Sequence, residues 1–185
     1  AAHAVLHADA GLKRLWGRAV LPAAETLRAF LNRFHDEAAV AARVPHTAYI
    51  PAESAGLRGL AAVHTRLLRS LQERAPQTHA TLDVDATVIA SDKHTALPVY
   101  EGGTGYQPLQ VRWVEQDVWV VSQFRDGNVP AQSGVLEIVQ QSVATLRALG
   151  VTQFAVRMDS AGYQHAVLDF LRAEHIPFAI SADLS

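Results

Sequence analysis

The residues best suited to chemistry are Asp83 and Asp85 in TLDVDATVIA (81–90) and Asp159 in AVRMDSAG (155–162). Side chains at i and i+2 share one face of a strand. Leu82, Val84 and Ala86, with Val88, therefore take one face, and both aspartates take the other, flanked by Thr81 and Thr87. Aspartate is disfavoured in strands, so that second face is either solvent or a site. Asp159 closes another strand that leads into a helix, the place where ligands collect in open α/β sheets. If the two strands are neighbours, Asp83 or Asp85 comes within metal-binding reach of Asp159. Carboxylates suit the hard ions Mg²⁺ and Mn²⁺. Two such ions, about 3.5–4 Å apart, stabilise the attacking and leaving oxygens of an in-line displacement at phosphorus. Spacing alone leaves the plainer reading open, because aspartates at strand ends also serve as caps and turn residues.

The elements that must position these residues change character at residue 80. Before it, the chain reads helical. In LPAAETLRAFLNRFHD, Leu27, Phe30, Leu31 and Phe34 follow the spacing of a buried helical face, and Pro22 suits a first turn. VPHTAYIPAES (44–54) reads as a loop. From Gly56, the residues Leu57, Leu60, His64, Leu67, Leu68 and Leu71 mark a second helix, with Arg58, Arg66, Arg69 and Arg74 largely on its other faces. After residue 80, TLDVDATVI is a strand and TALPVYEGGTGYQP a glycine-rich, flexible connection. LQVRWVEQ and VWVVSQFR form a hairpin around Gln116 and Asp117. SGVLEIVQQSVATLRALG is a helix stopped by Gly150. VTQFAVRMDS is a strand, AGYQHAVLDFLRAEH a helix and IPFAISA a strand. The order β-β-β-α-β-α-β predicts a mixed sheet: three meandering strands, then helical crossovers feeding parallel ones.

Composition narrows the class. The 185 residues are 49% hydrophobic and 18% charged, the balance of a globular chain with a core of its own. No apolar run is long enough to span a bilayer, and the first residues lack the pattern of a signal peptide. The absence of cysteine excludes disulfides, thiolate metal sites and cysteine nucleophiles. The formal net charge is −2, but it is unevenly divided. Residues 1–80 carry 10 Lys and Arg against 6 Asp and Glu, and residues 81–185 carry 6 against 12. A basic half beside an acidic half is the pattern of a nucleic-acid grip next to a metal-holding site, though solvated surface gives the same counts.

In these residues the chain resembles the DDE transposases of bacterial insertion sequences. LDVDAT resembles the context of their first aspartate, GYQPLQV the entry to their second strand, FRDGN the segment after the third, and VRMDSAGY the second aspartate. LPAAETLRAFLNRF resembles the helical segment before their core. The resemblance implies an α/β, ribonuclease-H-like mixed sheet preceded by an α-helical region. It divides the chain into a DNA-contacting helical region, 1–79, and a catalytic core, 80–185, cut off before the third carboxylate. The first catalytic aspartate of that family usually sits in an Asp-x-Thr context, here Asp85-Ala86-Thr87. Asp85 and Asp159 are then the catalytic and metal-binding pair, with Asp83 in reserve.

The same resemblance implies Mg²⁺ or Mn²⁺ in a two-metal site, inverted-repeat element ends and target DNA as partners, and a homodimer in the synaptic complex. It implies a bacterial, cytoplasmic, nucleoid-associated protein that hydrolyses and joins DNA strands. With Ala1 first and Met158 the sole methionine, the chain reads as a fragment, and the third carboxylate missing from the family pattern implies that it is inactive by itself. Arg157, two positions before Asp159, is read equally as a phosphate contact or as half of a structural ion pair. FRDGN has no assigned role, DGN being a good turn in any case. Glu174 follows Asp159 too soon to be the family's glutamate and reads as solvated. The rival readings are another ribonuclease-H-like nuclease without strand transfer, and an inactive remnant that only binds DNA.

Overall fold

The structure, a computed structural model, describes residues 7–34, 36–44 and 47–182. Residues 1–6, His35, Pro45, His46 and the last three residues of the sequence lie outside that description. The chain forms two compact units, residues 1–42 with 53–58, and residues 43–52 with 59–185.

The smaller unit is helical. It holds α1 (Ala10–Leu15), α2 (Ala24–Asn32), α3 (Glu37–Ala41) and the first residues of α4 (Ala55–Arg74). Asp9 caps α1 by accepting a hydrogen bond from the Leu12 amide at 3.0 Å. The sequence pattern predicts a buried stripe on α2, yet α2 buries no residue and Leu31 is 60% exposed. Its Phe30 ring packs edge-to-face with Phe34 at 5.1 Å, so part of the stripe is satisfied by its own next turn.

The larger unit is built on a five-stranded sheet of order β6-β5-β1-β7-β8. Its strands are β1 (His79–Ala86), β5 (Leu109–Trp113), β6 (Val118–Gln123), β7 (Gln153–Met158) and β8 (Phe178–Ile180). β6, β5 and β1 meander antiparallel. β7 and β8 run parallel to β1 after the crossover helices α5 (Val135–Arg147) and α6 (His165–Ala173). This is the mixed sheet that the order of elements predicts. The hairpin turns where expected: Asp117 takes a φ of 54° and its amide bonds to the Val114 carbonyl at 3.1 Å.

Alternation along β1 explains its sequence. Ala80, Leu82 and Val84 are buried, and with Val111, Trp113 and Val156 they form one side of the core. Ile138, Val139, Val143 and Leu146 of α5, and Val167 and Leu171 of α6, close it. From α4 only Leu68 enters this core among the described residues; Leu67, expected on the same buried stripe, is 63% exposed. Past residue 59, α4 is also tied down by polar contacts. His64 bonds to the Trp119 carbonyl at 2.7 Å, and Gln72 exchanges two hydrogen bonds with the backbone of Gln77.

One connection differs from expectation. TALPVYEGGTGYQP is ordered into β3 (Leu97–Pro98) and β4 (Thr104–Tyr106), which with β2 (Ile89–Ala90) form a second sheet of order β2-β4-β3. Its glycines have a steric role. A Cβ on Gly105 would lie 2.4 Å from the Ile89 carbonyl oxygen, and one on Gly127 would lie 2.6 Å from those of Gly105 and Leu97. The small sheet therefore approaches FRDGN closely enough that only glycine fits at these two positions.

Candidate active site

Asp85 and Asp159 reach the same end of the sheet by register. In the parallel β1–β7 ladder, Asp83 is paired with Arg157 and Val84 with Met158. One residue further on lie Asp85, still on β1, and Asp159, just past the end of β7, and both line one small pocket of about 10 Å³. Its other walls are mostly apolar, including Val84, Met158, Val135 and Gly162.

The three aspartates differ in their partners. Asp83 is held by Arg157, whose Nε and Nη2 donate to its two carboxylate oxygens at 2.6 and 2.7 Å. This fork raises the Arg157 pKa, first through the hydrogen bond and then through the Asp83 charge. Of the two readings of Arg157, the structure displays the ion pair. Asp159 begins a 3-10 turn, Ser160–Gly162, and its Oδ1 accepts from the Ala161 amide at 3.0 Å. Asp85 is exposed, and among the described residues its carboxylate has no hydrogen bond or ion pair.

A hard cation fits this donor set. Asp85 offers two free carboxylate oxygens and Asp159 one besides its turn bond, while the adjacent cationic side chain is occupied by Asp83. Among the described residues no group of three or more His, Asp and Glu side chains converges, so the aspartates stand as a pair. The local field is negative. Tyr100, 74% exposed on the β3–β4 connection, has its phenol pushed above the ordinary value. The hydrogen bond to Glu101 is the main cause, followed by the charge of Glu101, slight burial and the charges of Asp85 and Asp159.

The sequence reading passed over several residues around this pair. Gln164 donates from Nε2 to the carbonyls of Gln132 (3.0 Å) and Ala161 (2.8 Å), joining the loop before α5 to the turn after Asp159. Nothing in its local pattern distinguishes it from a surface glutamine. FRDGN, noted without a role, proves largely buried: Arg125 and Asp126 are both 0% exposed. Two charged residues ahead of a glycine, in a segment otherwise read as a turn, were the available signal. Glu174, read as solvated, pairs with Arg147 at 2.9 Å.

Distant structural likenesses exist. The catalytic domain of Mos1 mariner transposase matches with a TM-score of 0.41 and 12% identity, over 74% of this chain and 67% of that one. The HTLV-2 integrase catalytic core domain, in complex with magnesium, gives 0.36 and 13% over 58% and 63%. The Drosophila P element transposase strand transfer complex gives 0.36 and 13% over 97% and 39%. This chain thus spans only part of each. No curated protein matches it in sequence. Residues 1–183 match the family described as transposase DDE domain, group 1, and the chain belongs to that family of DDE transposase domains.

Proposed function

We propose that Asp85 and Asp159 are two of the catalytic carboxylates of an insertion-sequence transposase that cleaves element-end DNA and joins it to target DNA. The observation that supports this reading is that Asp85 on β1 and Asp159 just after β7 line one pocket, and that among the described residues neither pairs with a cation. Asp85 and Asp159 would hold Mg²⁺ or Mn²⁺ in a two-metal site. When bound, these ions polarise phosphoryl oxygen and stabilise charge on the attacking and leaving oxygens. The chain's own part is positional. The β1–β7 ladder fixes the spacing of the carboxylates, the Ala161 amide orients Asp159, and Arg157 neutralises Asp83 so that it does not compete for the cation.

The third carboxylate implied by the family pattern would complete the donor set. The helical region 1–79, basic by composition, would contact the inverted-repeat ends, and residues 80–185 would carry the chemistry. The working assembly would be a homodimer at the bacterial nucleoid; among the described residues no helix is long and apolar enough to cross a membrane. The test is metal-dependent cleavage and joining by the natural full-length protein. Asp85→Asn and Asp159→Asn should each remove both activities while leaving the unfolding temperature near that of wild type. Retained cleavage in either variant would refute the assignment.

A further inference from the structure

Arg125 is fully buried, yet among the described residues it pairs with no carboxylate. The neighbouring Asp126 is taken by Arg43, whose guanidinium also stacks on the Tyr49 ring at 4.4 Å. Arg125 is bound instead by backbone carbonyls. Nε donates to Gln107 at 2.9 Å, and Nη1 donates to Ser133 at 2.6 Å and Ala131 at 3.4 Å, while Nη2 has no hydrogen-bond partner among the described residues. Burial pushes its pKa below the ordinary guanidinium value. A buried cation without a counter-charge is a costly way to fill space, and a hydrophobic side chain of similar volume would be cheaper. What the fork supplies is a fixed geometry between segments distant in sequence.

Those segments lead to the two carboxylates. Gln107 also donates its amide to the Arg125 carbonyl (3.1 Å), and the next residue, Pro108, accepts the Thr87 amide (3.1 Å) two positions beyond Asp85. On the other side, the 131–133 carbonyls flank Gln132, whose carbonyl receives Gln164. Gln164 also grips Ala161, the residue whose amide holds Asp159. We propose that Arg125 is a positioning residue that sets the separation of Asp85 and Asp159 by clamping the chain after β4 to the loop before α5. This rests on the reading of those aspartates as metal ligands.

The test uses the natural full-length protein with Arg125→Lys, which keeps the charge and loses the fork. Rates of element-end cleavage are measured against Mn²⁺ concentration, and backbone amide exchange is followed at Thr87, Ala161 and, as a core control, Val156. The expected result is a cleavage rate lower by about tenfold or more and a raised half-saturating Mn²⁺ concentration. Exchange at Thr87 and Ala161 should rise by about tenfold with Val156 unchanged. Unchanged cleavage with unchanged exchange, or exchange raised equally at Val156, overturns the proposal. Should Arg125→Lys fail to fold, Gln164→Ala cuts the Asp159 side of the linkage. It should raise Ala161 exchange and the Mn²⁺ requirement while leaving Thr87 unmoved, and no change in either overturns the proposal. Asp85→Asn, run in parallel, separates the two readings. Cleavage surviving in it refutes the metal-ligand assignment, whereas the exchange pattern still decides what Arg125 holds.

Discussion

Asp83 and Arg157 face each other across the parallel β1–β7 ladder, and the guanidinium grips both carboxylate oxygens. The contact removes one of the two β1 aspartates from competition and, among the described residues, leaves Asp85 as the exposed, unpaired one. Asp83→Asn should therefore lower cleavage far less than Asp85→Asn, whose loss should be about a hundredfold or more. The comparison is made in single-turnover cleavage by the full-length protein, and the reverse ranking would exchange the two roles.

The same pair is partly exposed, at 32% for the Asp83 side chain and 55% for Arg157. Solvent screening keeps the contribution of such an exposed pair to stability small. A double-mutant cycle with Asp83→Asn and Arg157→Gln should give little coupling by denaturant unfolding. A much larger coupling would mean the pair is shielded from water.

Gly127 faces the backbone of two strands of the small sheet, with no room for a Cβ. Gly127→Ala should destabilise the chain by about 1–3 kcal/mol, as overpacking against unyielding backbone does. Thermal and denaturant unfolding would measure it, and an unchanged stability would mean that the β3–β4 connection moves freely.

Glu115 supplies a pH-dependent contribution. Burial pushes its carboxyl upward, but hydrogen bonds from the Thr81 hydroxyl and amide and from its own amide, with the His79 charge, outweigh that and hold it below 4.5. The Thr81 amide contact is 2.8 Å. A carboxyl lowered by folding stabilises fully above its unfolded pKa, and the benefit is lost as pH falls through the folded one. The stability gap between wild type and Glu115→Gln should therefore be constant above 4.5 and shrink below it. A gap that widens on acidification would reverse the sign.

The sheet, and the placing of Asp85 and Asp159 at one end of it, were legible in the sequence for a physical reason. Alternation in LDVDA and the strand–turn–helix at Asp159 are local signals, and one assumption about neighbouring strands joined them. The apolar stripes of α2 and α4 were equally periodic, but periodicity records which residues share a face and not whether anything covers it. Leu31 and Leu67 remain largely exposed. The β3–β4 connection was missed because its strands are two and three residues long, too short for a period to register. Arg125 was visible as a letter, but its partners are carbonyls of residues 107, 131 and 133, which no side-chain pattern encodes.

The exposed arginines of α4 test the basic region. Arg66→Gln and Arg69→Gln, each in the full-length protein, should weaken binding to element ends. Each should also reduce the dependence of log affinity on log salt by about one unit for every phosphate left without its arginine. A salt slope unchanged in both variants would remove α4 from the DNA-binding surface.

The central claim is that Asp85 and Asp159 touch the catalytic metal, and a change of metal preference tests it most directly. The chain has no cysteine of its own, so Asp85→Cys and Asp159→Cys each introduce a single thiolate at a chosen ligand position. A soft thiolate is a poor partner for Mg²⁺ and a better one for Mn²⁺. In the full-length protein each variant should lose cleavage with Mg²⁺ and recover a measurable part with Mn²⁺, raising the Mn²⁺-to-Mg²⁺ rate ratio by about tenfold or more over wild type. Cleavage with Mg²⁺ at the wild-type rate, or a rate ratio equal to that of wild type, would contradict direct ligation by these aspartates.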